Sequence, residues 1–249
     1  MMKSSEIFRE EKTGNIMDLS GFDWGDVTHK FKEFITYEFF TDTQNVYETL
    51  YPVQEGDIVL DIGASIGPFT WSVMGKAKTV IALEPSKDIY PTLVKNCKAD
   101  NTILLNSGLG KWDDNGLLQM VWDENGEQHN AVETASEIIC LETLCNRYNL
   151  DKIDYIKTDC EGGEYSLFTD KNINFLKNNV RNICGEFHLR HPGNRVEFRY
   201  FRDKYLSQFQ NFEVFSIDGI DIKWDLWNEH FIEYYNEVII YINNKSNEI

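Results

Sequence analysis

The stretch Asp57 to Val73, DIVLDIGASIGPFTWSV, constrains the chain more than any other. Its apolar run Ile58, Val59, Leu60 stops at Asp61, a turn with Gly63 and Gly67 follows, and a new apolar periodicity begins. That order reads as a buried strand, a tight glycine turn and a helix start. Glycine tolerates positive φ and lets a ligand approach the backbone, and the N–H groups that open a helix favour an anionic or carboxylate-bearing group. The unit is expected to cradle a nucleotide. Its spacing is Asp-x-Gly-x-x-x-Gly, not the Gly-x-Gly-x-x-Gly of dinucleotide-binding turns.

A linked signal follows. VIALEP, Val80 to Pro85, reads as a second buried strand ending in a carboxylate. Glu84 lies about twenty residues past the turn, the offset at which an acidic side chain accepts hydrogen bonds from ribose hydroxyls. Pro85 and Ser86 also make Glu84 a helix-entry charge, and both roles are compatible. Together the two motifs resemble those of S-adenosylmethionine (SAM) methyltransferases.

Along the rest of the chain strands and helices alternate. Residues 1 to about 27 show no sustained period and read as a loosely ordered arm. FKEFITYEFF and Asp42 to Leu50 read as short helices covering a cofactor mouth, with Tyr37, Phe39 and Tyr47 as weak lid candidates. Ser86 to Ala99 reads as a helix that holds Pro91 near its first turn, and Ile103 to Gly110 as a third strand. Gly116 to Trp122 and Glu137 to Ile139 suggest a hairpin excursion, and Leu141 to Leu150 a helix. Ile153 to Thr158 is the fourth strand and runs into Asp159-Cys160-Glu161-Gly162-Gly163-Glu164, and the segment after that to Asn178 reads as a helix. Val180 to His188, Phe212 to Ile217 and Glu237 to Ile242 complete seven strands. A helix is expected over Glu197 to Phe209 and a loop over Asp218 to Asn236. Such alternation predicts a mainly parallel α/β sheet with right-handed crossovers.

Composition excludes several partners. The 249 residues suffice for one large α/β core, and a formal charge of −17 repels nucleic-acid phosphates and anionic membranes. The basic run Arg190, Arg195, Arg199, Arg202 and Lys204 reads as a solvated helix face. The polar N-terminus lacks a signal-peptide core and no stretch reaches bilayer-spanning length, so a soluble, cytoplasmic protein is expected. Five cysteines without a C-x-x-C pair are expected to be reduced thiols.

By the fourth strand the resemblance narrows to the FkbM-like methyltransferases. It is carried by VLDIGASIGPFT, VIALEPS, LNSGLG, IDYIKTDCEGGE and GEFH, spanning Val59 to His188. The resemblance implies a Rossmann-like sheet of seven strands with the last antiparallel, helices on both faces, and a methyltransferase domain over 53–249 behind an arm over 1–52. It also implies an O-methyltransferase of small hydroxylated metabolites, here a sugar or glycan. Asp61, Gly63, Ala64, Ser65 and Gly67 are expected around the methionine moiety, Glu84 at the ribose, and Asn106 and Ser107 at the adenine. Ser65, where Asn is common, and the SGLG stretch depart modestly from the family pattern. A SAM-binding protein without catalysis and, less favoured by the glycine spacing, a nicotinamide dehydrogenase are the alternatives.

Methyl transfer from a sulfonium is an in-line displacement, so the acceptor hydroxyl must be aligned and deprotonated. Lys157 and Asp159 alternate onto one face of the fourth strand, and Glu186 and His188 onto one face of the fifth. The four are expected to converge as the catalytic set. His188 serves as general base, or Asp159 and Glu186 hold magnesium or manganese that lowers the hydroxyl's pKa. Glu161 and Glu164 suit a helix N-terminus. Trp224 and Trp227 are expected to offer flat faces to a sugar.

Overall fold

A computed structural model describes the protein at residues 46–117 and 135–244, at Asp23, and in four short strands at 7–9, 16–18, 121–122 and 128–129. Strands β1 (Ile7–Arg9) and β2 (Ile16–Asp18) pair antiparallel, a ribbon where no regular element is expected. The helix expected over residues 31–40 lies outside the described residues, and 46–51 form turns and bends rather than a helix.

The glycine unit folds as anticipated. β3 (Ile58–Ile62) passes through the turn into α1 (Pro68–Val73), and β4 (Thr79–Leu83) leads to α2 (Tyr90–Cys97). Pro91 lies in the first turn of α2, where its missing N–H has no helical partner to lose. The expected strand over 103–110 is split at Asn106 into β5 (Thr102–Leu105) and β6 (Ser107–Gly110). The Asn106 amide donates to the carbonyls of Glu84 (2.9 Å) and Pro85 (3.2 Å), which turns the chain out of the main sheet.

The excursion then takes shape. β7 (Asp114–Leu117), β8 (Val121–Trp122), β9 (Gln128–His129) and β10 (Ala135–Cys140) follow, with β8 and β9 paired antiparallel. β10 sits between β6, parallel, and β7, antiparallel, in a small three-stranded sheet. α3 (Leu141–Tyr148) ends at Asn149, which takes a left-handed φ of 53°.

β11 (Ile153–Thr158) is buried along its whole length, as a central parallel strand must be. The single helix expected after the Asp159–Glu164 stretch is instead a 3₁₀ turn over Glu164–Leu167 and a separate α4 (Ile173–Asn179). The cause is local: the Glu164 carboxylate turns back and accepts from the N–H groups of Cys160 (2.9 Å) and Gly162 (3.0 Å). β12 (Val180–His188) is followed by α5 (Pro192–Tyr200), which starts at Pro192 rather than Glu197 and continues as a π turn, Phe201–Tyr205. Phe201 stacks on Phe187 of β12, ring centres 4.7 Å apart, which anchors that turn to the sheet. β13 (Phe212–Ser216), α6 (Glu229–Tyr234) in the segment expected as loop, and β14 (Glu237–Asn243) complete the chain.

The main sheet has seven strands in the order β13-β14-β12-β11-β3-β4-β5. β14 is antiparallel to both neighbours, so it alone runs against the other six. Alternate residues serve the two faces: Leu60, Ile81 and Ile156 enter the larger apolar cluster, and Val59, Val80 and Tyr155 the other. From β3 the chain builds outward through β4 to β5, then returns to place β11 on the opposite side of β3. The crevice above the carboxyl ends of β3 and β11 is therefore the switch point, where open α/β sheets take their ligands. Among the described residues no helix is long and apolar enough to cross a membrane. All five cysteines are free thiols.

Candidate active site

Two segments meet at the switch point because Gly63 allows it. With φ at 77°, a Cβ on Gly63 would fall 1.8 Å from the Asp159 carbonyl oxygen, so only glycine lets the turn after β3 touch the loop after β11. Asp159 N–H donates to the Ile62 carbonyl (3.0 Å), continuing the ladder into this contact. Gly67, at φ 96°, packs onto α2, where a Cβ would lie 2.4 Å from the Cys97 sulfur.

On the glycine side Glu84 is the hub. Its Oε2 accepts from Ser65 N–H (2.9 Å) and its Oε1 from Ser86 N–H (2.7 Å), which holds Ser65 in the left-handed region at φ 52°. Burial pushes the Glu84 carboxyl up, and these two donors hold it back. A carboxylate offers about four acceptor positions, so two donors leave room for ribose hydroxyls. Gly63 and Ala64 spend their N–H groups on the Leu83 carbonyl (3.0 and 2.9 Å), which ties the turn to β4.

Three expected cofactor contacts have other partners. Asp61 is wholly buried: Oδ2 accepts from Thr70 Oγ1 (2.7 Å), and Oδ1 lies 3.2 Å from Lys157 Nζ, an ion pair without hydrogen-bond alignment. It braces the turn through these two partners. Ser107 is buried and donates to Glu137 Oε2 (3.1 Å), tying β6 to β10. Asn106 shapes the exit from β4.

Lys157 does not join the catalytic set. Its ammonium is buried, donates to the Gly63 carbonyl (2.7 Å) and sits 5.4 Å from the centre of the Tyr47 ring. Burial alone would lower its pKa; the charges of Asp61 and Asp159 outweigh this and raise it.

The other three expected residues do come together. His188 is buried at the end of β12; its Nδ1–H donates to Glu164 Oε1 (2.8 Å), and its Nε2 faces Glu161 Oε2 (3.3 Å) and Glu186 Oε1 (3.4 Å). Asp159 lies on the same side, its Oδ2 accepting from the Tyr47 hydroxyl (2.9 Å). Burial would lower the His188 pKa, but the Glu164 hydrogen bond and the charges of Glu164, Asp159 and Glu161 raise it to about 10. That direction runs against the expected histidine base, which needs a neutral ring near pH 7.

Glu164, read from sequence as a helix-start charge, is the buried centre of this arrangement, and its Oε2 has no hydrogen-bond partner. Tyr47 proves to be a direct partner of Asp159. The signal for Glu164 was present in Asp159-Cys160-Glu161-Gly162-Gly163-Glu164, three carboxylates in a stretch too rich in glycine to begin a helix.

For a cation, Asp159 groups with Glu164 and His188, whereas Glu186 groups with His188 and Glu237. The two proposed ligands thus fall in different groups. Glu164 Oε1 already takes three donors. A hard divalent ion takes oxygen ligands and keeps several waters, so a buried imidazole with Asp159 and Glu186 in separate groups does not fit it.

The comparisons agree with the geometry. Residues 61–214 match the family described as methyltransferase FkbM domain. The chain belongs to the FkbM methyltransferase family. The match runs from the buried Asp61 of the glycine turn through the Asp159–Glu164 loop and His188 to β13. Membership implies SAM as methyl donor, and the crevice with its glycine contacts and the Glu84 carboxylate fits it.

Solved structures resemble the FkbM chain distantly. A precorrin 8w decarboxylase from Methanobacterium thermoautotrophicum aligns over 88% of this chain and 92% of its own, with 16% identity and a TM-score of 0.42. An rRNA methylase from Streptococcus thermophilus aligns over 78% and 90%, with 10% identity and a TM-score of 0.46. Comparison with curated proteins gives no match.

Proposed function

We propose that this FkbM methyltransferase moves the methyl group of SAM to a hydroxyl of a sugar or glycan, without a metal. The observation that carries the acceptor reading is a cavity of about 320 Å³ lined by Trp112, Tyr165, Phe168 and Tyr200, with Lys111 and Glu197 among its polar walls. Tyr165 belongs to both places, since its hydroxyl donates to the His188 carbonyl (2.7 Å). Trp112 is 66% exposed and Tyr200 50%, which leaves ring faces open to the C–H face of a pyranose. Lys111 and Glu197, 3.2 Å apart, supply a donor and acceptors for its hydroxyls. Trp224 and Trp227 are exposed as well and remain secondary sugar-facing candidates.

Charge supports a neutral acceptor. The basic run after β12 is engaged in ion pairs, mostly at the surface: Arg190 pairs with Glu237, Arg199 and Arg202 with Glu229, and Lys204 with Asp170. At a net charge of −17 this leaves little to hold a phosphate backbone.

When bound, SAM supplies an electrophilic methyl on a sulfonium. The protein's part is to hold the ribose at Glu84, align the acceptor oxygen and accept its proton. The test is a screen of labelled SAM against glycans and small hydroxylated metabolites, read by mass spectrometry, with and without a chelator. Label on a carbohydrate hydroxyl, unchanged by chelator, is expected. With the acceptor in hand, Trp112→Ala is expected to raise its KM about fivefold, for about 1 kcal/mol of ring contact, while SAM affinity holds. Label on a protein side chain or a nucleic acid overturns the sugar reading, and loss of activity in chelator overturns the metal-free one.

A further inference from the structure

We propose that the cavity takes an aryl or alkyl glycoside rather than a free sugar, with the apolar aglycone lying against the rings of α5 and the π turn that follows it. The proposal rests on the sugar reading above and narrows it. Glu197, Tyr200, Phe201 and Tyr205 all line the cavity, so it follows this helix for on the order of 10 Å, longer than one pyranose ring. The π turn is a distortion of the kind that recurs at functional sites, and it carries two of the lining rings.

The two ends of the cavity differ in chemistry. At the Glu197 end the carboxylate and the Lys111 ammonium are both partly exposed, open to the hydroxyls of a ligand. At the Tyr205 end the polar atoms are engaged with one another. The Lys204 ammonium donates to Asp170 Oδ2 (2.8 Å) and to the Tyr200 hydroxyl oxygen (2.6 Å), and the Tyr205 hydroxyl donates to Asp170 Oδ1 (3.3 Å). Thr169 Oγ1 accepts from the Asn172 N–H (3.2 Å), and Lys171 is exposed. The surface left to cover is largely apolar. Six of the eleven lining residues are aromatic, and they come from three places: Trp112 past β6, Tyr165 and Phe168 at the 3₁₀ turn, and the three rings along the helix. Val196, one turn before Tyr200 on the same face of α5, is more than half exposed and extends the apolar rim.

This division selects the ligand. A second pyranose at the Tyr205 end would shed water from its hydroxyls and find the partners already taken, the costly case for a hydrogen-bonding group. An aryl or alkyl group gives up no hydrogen bonds and gains with the apolar area it covers. Rings from three elements suit an aromatic aglycone best, stacked on one and edge-on to another.

The test is ligand-observed NMR and labelled methyl transfer with the SAM-loaded protein, using the methyl and phenyl glycosides of glucose, galactose and mannose as matched pairs and phenol as the sugar-free control. For the sugar that binds, the phenyl glycoside is expected to bind at least tenfold tighter than the methyl glycoside and to show the higher kcat/KM. Tyr200→Ala is expected to shrink the phenyl-to-methyl ratio at least threefold, and Tyr200→Phe, which keeps the ring, to preserve it. That ratio is read within one protein, so a general loss of stability does not move it. Equal affinity of the two forms for every sugar, or no binding by any phenyl glycoside, overturns the inference. Equal affinity together with methyl transfer to a methyl glycoside does so while leaving the sugar reading standing. Phenol binding as tightly as the phenyl glycosides strikes the sugar reading itself, and the glycoside with it.

Discussion

Replacing Lys157 by Met is expected to cost about 3–5 kcal/mol of folding stability, the range for removing one partner of a buried ion pair. The ammonium is the only cation within reach of the Asp61 Oδ1 among the described contacts, and it also satisfies the Gly63 carbonyl. Methionine has similar length, so the loss is one of charge and hydrogen bonding rather than of packing. Against a typical stability of about 5–15 kcal/mol such a change is large. Removing the stranded charge too should recover much of it: Lys157→Met/Asp61→Asn is expected to be more stable than Lys157→Met, a coupling that chemical denaturation of the two variants, Asp61→Asn and wild type reads directly. A Lys157→Met cost below about 1 kcal/mol contradicts the brace.

Stability is also expected to fall as pH rises from about 6.5 to about 10, on account of His188. Its folded pKa is raised to about 10 from an unfolded value of about 6.5, so the folded state binds the proton more tightly. The resulting stabilisation is fully present below pH ~6.5 and is lost as pH climbs through the folded pKa, a total on the order of a few kcal/mol. The groups that set it come from every side: Glu164, Glu161 and Asp159 from the loop after β11, Glu186 on the same strand, and Glu237 opposite in β14, itself paired with Arg190. Thiols pushed up by burial, Cys160 and Cys145 (about 11), act with the same sign above pH ~8.5. The measurement is therefore the difference between wild type and Glu164→Gln in denaturation midpoint from pH 6 to 10. The variant is expected to be less stable at pH 6 and to lose less on the way up; parallel curves contradict the account.

The parts legible in the sequence were those whose pattern is local. β3, β4, β11 and β12 show as apolar runs because both faces of each are covered, and Gly63 and Gly67 announce a turn whose conformations no other residue adopts easily. Asp61 and Lys157 sit deeper than the pattern alone indicates, because alternation predicts a shared face and says nothing of depth. Both side chains point into the seam between β3 and β11, where register sets Lys157 beside Asp61, and a buried lysine there needs the carboxylate more than an acceptor does. Glu164 could not be seen as the partner of His188, because the two meet only when β12 pairs with β11 and the intervening loop closes. The start of α5 does carry a local mark, because Pro192 after His191 is a helix-opening signal. Asn106 ends β5 through the carbonyls of Glu84 and Pro85, just past β4, a tertiary cause with no local mark.

The central claim, that the crevice between the glycine turn and Glu84 is a SAM site, is tested most directly by calorimetry of SAM with the wild-type protein and with Glu84→Ala. Wild type is expected to bind SAM and not NADH. The variant, folded by circular dichroism, is expected to lose about 1.5–3 kcal/mol, tenfold or more in affinity, because the charge-assisted hydrogen bonds to ribose and the grip on Ser65 are gone together. Equal SAM affinity in the two proteins would contradict the assignment.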